Sequence, residues 1–190
     1  SVEALRPVQL ELGGHNALVV LPDADLDQAA AAVIGLMTTL NGQWCRSLGR
    51  LIVPATLHDE LLDRVLAQLS KVALGHSLAR DSEMGPIVHS GHLAHLRARI
   101  EALGGTVHSS TPLPELGGNF LAPTLVTGVA SEEALHEIFG PVATVHAYAP
   151  VHDAWAPAHA PPSAPAGSAV ATAPHPAPPV PRPPPAGPPP

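Results

Sequence analysis

One cysteine, Cys45, is present among 190 residues, so an intramolecular disulfide is excluded and a reducing compartment is the expected setting. Aromatic residues make up only 3%, which leaves the core to Leu, Val, Ile and Ala. Lys and Arg number 9 against 16 Asp and Glu, for a net charge of −7. That balance argues against nucleic-acid binding, which needs a basic face. The sequence shows no signal-peptide pattern and no apolar run long enough to cross a bilayer, so a soluble, cytoplasmic protein without membrane partners is expected. A glycine-rich strand-to-helix turn of the G-x-G-x-x-G kind is also missing, and Gly13-Gly14 is too weak a signal to replace it.

Proline, by contrast, is abundant and unevenly placed. Residues 151–190 hold 15 of the 24 prolines together with 11 alanines. Proline removes main-chain donors and fixes φ, so runs such as Pro183-Pro184-Pro185 should be extended or disordered, and the segment should build no core. Three readings fit such a tail. It is a flexible extension, or a polyproline ligand for an aromatic-lined groove, with Arg182 as its one Lys or Arg. Alternatively, the reading frame was lost near Ala149, since out-of-frame translation of a GC-rich gene yields Pro, Ala and His repeats. The 150 residues before the tail amount to one ordinary domain.

Those residues alternate strand and helix signals, the pattern of an α/β fold with a mostly parallel sheet. Asn16 to Leu21 is an apolar run suited to a buried strand and stopped by Pro22. Asp23 or Asp25 can cap the next segment, where Leu26, Ala29, Ala30, Val33, Ile34, Met37 and Leu40 recur at helical spacing until Asn41-Gly42. Leu51 to Val53 reads as a strand, and Leu57 to Val72 as an amphipathic helix. A turn at Met84-Gly85-Pro86-Ile87 precedes a helix over Ser90 to Leu103, ended by Gly104-Gly105. Strands are expected at Thr106 to His108, Phe120 to Val126 and Ala143 to Tyr148. His89, His92 and His95 have a superficial metal-site spacing, but spread over more than a third of a helix with no matching cysteine or carboxylate they read as a solvated face.

Cys45 falls in the loop after the first helix, where a side chain can be displayed toward a cleft. Gly42 gives the backbone freedom just upstream, the polar neighbours Asn41, Gln43 and Arg46 do not suit an apolar burial site, and a nearby cation or helix N-terminus would favour the thiolate. A thiolate adds to an aldehyde carbonyl, the adduct can release hydride, and a carboxylate can then activate water against the thioester. Glu11, thirty-four residues upstream beside Gly13-Gly14, is the candidate carboxylate; alone it would read as a solvated or capping group.

Four segments occurring in order resemble the aldehyde dehydrogenase superfamily: Leu10-Glu11-Leu12-Gly13-Gly14-His15-Asn16, Asp23-Ala24-Asp25-Leu26, Gly42-Gln43-Trp44-Cys45 and Glu137-Ile138-Phe139-Gly140-Pro141-Val142. The resemblance implies a three-layer catalytic domain over residues 15–149, with residues 1–14 closing a dinucleotide-binding domain. It implies NAD(P)-dependent oxidation of a small-molecule aldehyde, with Cys45 as nucleophile and Glu11 as the base for deacylation. Glu137 is placed at the nicotinamide ribose and Phe139 near the nicotinamide, with Leu12 and Gly13 also at the cofactor. The main-chain amide of Cys45 would stabilise the oxyanion. Full-length relatives are expected to be homo-oligomers. Trp44 is read either as a hint of an apolar or aromatic aldehyde or as a packing residue.

The likeness is legible from residue 1 to about 149, and most of the family's dinucleotide-binding domain has no counterpart there. NAD and NADP therefore stay open, since the residue that tells a free ribose from its 2′-phosphate belongs to that domain. A second expectation is that the chain is an inactive truncated or frame-damaged product, or an interaction fragment with a proline-rich arm. In that case the sheet would stop after Tyr148 with an unpaired edge.

Overall fold

The structure is a computed structural model that describes residues 14–130, 132–154 and 167–170. Asn16–Val20 forms β1, and all five of its residues are buried. Pro22 cannot continue the ladder, and the Asp25 carboxylate then caps helix α1, Leu26–Thr38, by accepting from the amides of Asp27 and Gln28, both at 2.9 Å. Of the two capping candidates, Asp25 fills the role. Strand β2, Leu48–Pro54, is also wholly buried, as expected for a central parallel strand. It leads to α2, His58–Leu69, whose apolar face of Leu61, Leu62, Val65 and Leu69 faces the core. Helix α3, Ser90–Ala102, ends at Gly104, whose φ of +65° is the left-handed stop that glycine provides.

Strands β3 (Thr106–His108), β4 (Thr124–Thr127), β5 (Val142–Tyr148) and β6 (Gly167–Val170) complete one sheet in the order β3-β4-β5-β2-β1-β6. Every neighbouring pair is parallel except β3 with β4. Helices α1 and α2 cover one face, burying Leu18, Val20, Leu51, Val53 and Val145. Helix α3 lies on the other face with Val126, Ile138 and Val142, beside a smaller cluster of Val19, Ile52 and Tyr148. The three-layer, mostly parallel α/β architecture expected from the sequence is thus the one observed.

Three local expectations need correction. Leu40 is not a core position of α1: the helix stops at Thr38, and Leu40 is 67% exposed with φ at 50°. Strand β4 begins at Thr124 rather than Phe120, because ladder pairing with β5 starts only at Thr124↔Val142. The sheet does not stop at Tyr148. Within the segment expected to lack structure, β6 pairs with β1 from Ala17↔Gly167 to Val20↔Val170, and Leu21 N–H donates to Val170 C=O at 3.0 Å. The edge of β1 is therefore paired. The prolines of 171–190, including the candidate polyproline motif, lie outside the described residues.

Candidate active site

Leu40, Asn41 and Gly42 form three successive left-handed residues, with φ of 50°, 60° and 69°. For Leu40 this is a strained conformation costing about 1–3 kcal/mol, so the surroundings must impose it. They do so through Asn41, whose side chain accepts from Gly85 N–H at 2.7 Å and donates to Pro86 C=O at 3.3 Å. Gln43 accepts from Val88 N–H at 3.0 Å. The Met84–Ile87 turn thus clamps the residues that launch the cysteine loop.

Past the clamp, Trp44 to Ser47 closes a turn through Ser47 N–H to Trp44 C=O at 3.0 Å, and Cys45 sits exposed on it. The turn is fixed from beneath by Asn16, whose Nδ2 donates to the carbonyls of Cys45 at 2.7 Å and Ser47 at 3.0 Å. Trp44 turns toward α1 and donates from Nε1 to Leu36 C=O at 3.4 Å, which supports the packing reading of that residue.

The Glu137–Val142 segment meets this loop directly. A Cβ on Gly42 would stand 2.4 Å from Pro141 N, so only glycine permits the approach. Ile138 is buried whereas Phe139 is 41% exposed, an alternation that turns the two neighbours to opposite sides. Glu137 accepts from Gly14 N–H through Oε1 at 2.8 Å, tying the end of the first motif to the last across 123 residues. Cys45, Glu137 and Phe139 are thereby carried on segments in mutual contact. Glu11, Leu12 and Gly13, the other residues singled out from the sequence, lie outside the described residues.

Behind the site lies a buried cationic group that sequence reasoning missed. Arg50 is 2% exposed and donates from Nη2 to His15 C=O at 2.7 Å; burial lowers its pKa to about 10, so it stays charged at neutral pH. His15 is 1% exposed, and burial first, then the Arg50 charge and those of His146 and His136, lower its pKa to about 4. The main chain of Ala134 pulls the other way, without reaching hydrogen-bond geometry to either ring nitrogen. His15 is therefore neutral at pH 7 and faces Gly49 so closely that a Cβ there would be 2.4 Å from Nδ1. His146 is lowered by the same burial and the same arginine.

The solvated reading of the α3 histidines holds for His89 and His95, which are exposed, and needs revision only at His92. His89 is the N-cap of α3, accepting from His92 N–H at 3.0 Å, and His92 is half-buried with Nε2 at 2.6 Å from Phe139 C=O. Among the described residues no group of three or more His, Cys, Asp or Glu is arranged to hold a metal ion.

A mostly parallel α/β sheet thus carries an exposed thiol just before a central strand, beside a loop bearing a carboxylate and an exposed aromatic ring. The profile of the aldehyde dehydrogenase family matches residues 1–175, and the chain belongs to that family. The match runs past residue 149, where the likeness is no longer legible by eye, and takes in β6. The chain is 31% identical over 155 residues to the NADP(+) succinate-semialdehyde dehydrogenase of Mycobacterium leprae (strain TN), covering 79% of this chain and 34% of that protein. Among solved structures, an NAD-dependent aldehyde dehydrogenase from Sinorhizobium meliloti superposes with a TM-score of 0.83 at 29% identity, covering 90% of this chain and 35% of the other. Betaine aldehyde dehydrogenase from Staphylococcus aureus in complex with NAD+ does so with a TM-score of 0.79 at 25% identity, covering 85% and 34%. The chain spans about a third of the length of the curated relatives it matches. Among the described residues no helix is long and apolar enough to cross a membrane.

Proposed function

We propose that the complete protein oxidises a small-molecule aldehyde to a carboxylic acid with NAD or NADP, through a covalent adduct on Cys45. The observation that supports this best is the meeting of the Cys45 turn with the Glu137–Val142 segment at Gly42 and Pro141, in a chain of this family. The relatives' names point to both dinucleotides, NADP for one and NAD for the others.

The described residues suit part of such a cofactor. Glu137 spends one carboxylate oxygen on Gly14 N–H, which fixes its orientation and leaves acceptor capacity for the hydroxyls of a ribose. Phe139, two residues on, is exposed. When bound, a nicotinamide ring supplies the hydride acceptor.

Cys45 Sγ adds to the aldehyde carbon as thiolate, and the carbonyl oxygen takes the negative charge. The Cys45 main-chain N–H, which donates to no acceptor among the described residues, is available to that oxygen. Asn16 holds the carbonyl of the same residue, so it fixes the peptide plane on the C-terminal side of the nucleophile. After oxidation the carbon is a thioester on Cys45. Glu11, two to three residues before Gly13-Gly14, takes a proton from the water that cleaves it, releasing the acid and the free thiol.

Aldehyde-dependent reduction of the dinucleotide by the complete protein tests this reading. Cys45→Ala should abolish turnover, whereas Glu137→Gln should raise the KM for the dinucleotide more than it lowers kcat. Full turnover by Cys45→Ala would refute the covalent route.

A further inference from the structure

Phe139 stands on a turn with little internal support. Gly140 N–H donates to Ile138 C=O at 2.9 Å and Val142 N–H to Gly140 C=O at 2.8 Å, two successive three-residue turns. At 41% exposure the Phe139 ring is not fixed by burial either. Something outside the turn must hold it, and α3 presents two groups that do. Leu96 lies so close beneath Gly140 that a Cβ there would be 2.8 Å from its methyls. One turn earlier on the helix, His92 Nε2 is 2.6 Å from Phe139 C=O, with the two rings 6.3 Å apart and tilted by 51°.

A carbonyl oxygen only accepts, so Nε2 of His92 carries the proton. The imidazole is itself constrained, lying nearly parallel to His95 at 6.2 Å and on a main chain whose N–H is held by His89. We infer that His92 is a positioning residue, which through its bond to the Phe139 carbonyl fixes the Phe139–Pro141 turn and so the direction in which the Phe139 ring is displayed. That the ring faces the nicotinamide rests on the function proposed above; that His92 fixes the turn does not.

Amide hydrogen exchange on the full chain without cofactor separates the two. His92→Ala keeps the helix and the N-cap bond, which uses only the main-chain N–H, and should exchange the Gly140 and Val142 amides about fivefold faster or more, with β2 and residues 143–148 of β5 unchanged. His92→Gln, whose Nε2 amide reaches the same carbonyl, should return both to within about twofold of the parent. Unchanged exchange in His92→Ala, or failure of His92→Gln to restore it, would overturn the inference. In the complete protein His92→Ala should also raise the KM for the dinucleotide more than it lowers kcat. An unchanged KM with a loosened turn would instead overturn the placement of Phe139 at the cofactor.

Discussion

His15, Asn16 and Arg50 are polar residues on or beside central strands, and each is buried behind the cysteine loop. For His15 the folded pKa of about 4 lies below the ordinary 6.5, so the unfolded chain binds more protons between those values. Stability from this group is fully present above about pH 6.5, falls as pH falls, and levels off below about pH 4, an effect on the order of 3 kcal/mol. His146 shifts in the same direction and adds to the slope. Urea unfolding at a series of pH values should show this decline, and His15→Gln should flatten it; an unchanged slope would mean that the imidazole is not held neutral. Asn16→Leu should cost about 2 kcal/mol, because it strips two loop carbonyls of their donor, and the same titration at pH 7 measures it. Cys45 and Glu137 were legible in the sequence because each stands in a motif with its own spacing. His15 and Arg50 were not, since nothing in a single sequence says that a polar residue next to an apolar run is buried rather than at its exposed end. Asn16 carried one usable signal, a polar side chain opening the apolar run to Leu21 that reads as a buried strand.

At the scale of elements, apolar periodicity located three helices and most strands, because burial on one face demands it. It misled at Leu40, which falls on the helical repeat but lies beyond the C-cap in a left-handed turn held by contacts with residues 85–88. Such a turn depends on partners more than forty residues away and leaves no local trace. Two substitutions probe these elements. Asp25→Ala removes the cap of α1 and should lower stability by about 1 kcal/mol in thermal or urea unfolding. Gly42→Ala forces a side chain into Pro141 at a φ of +69° and should cost about 2 kcal/mol or more, while separating the cysteine loop from Glu137–Val142. A fully stable Gly42→Ala protein would show that the two segments are not in contact.

For the whole molecule, the sequence indicated the layers and the parallel sheet but not its last strand. Gly167–Val170 is short and set among prolines and alanines, and only long-range pairing with β1 makes it a strand. Removing residues 150–190 should therefore expose the edge of β1 and raise binding of a hydrophobic dye; identical dye binding and melting would mean that β6 contributes nothing. The central claim concerns Cys45 as a covalent nucleophile served by Glu11, and acyl transfer from an activated ester tests it without a cofactor. With p-nitrophenyl acetate, mass spectrometry of the digested full chain should find the first acetyl group on Cys45, formed faster than on a model peptide thiol, and Glu11→Gln should prolong its lifetime. Acetylation no faster than the peptide's, or a lifetime that Glu11→Gln leaves unchanged, would contradict the account.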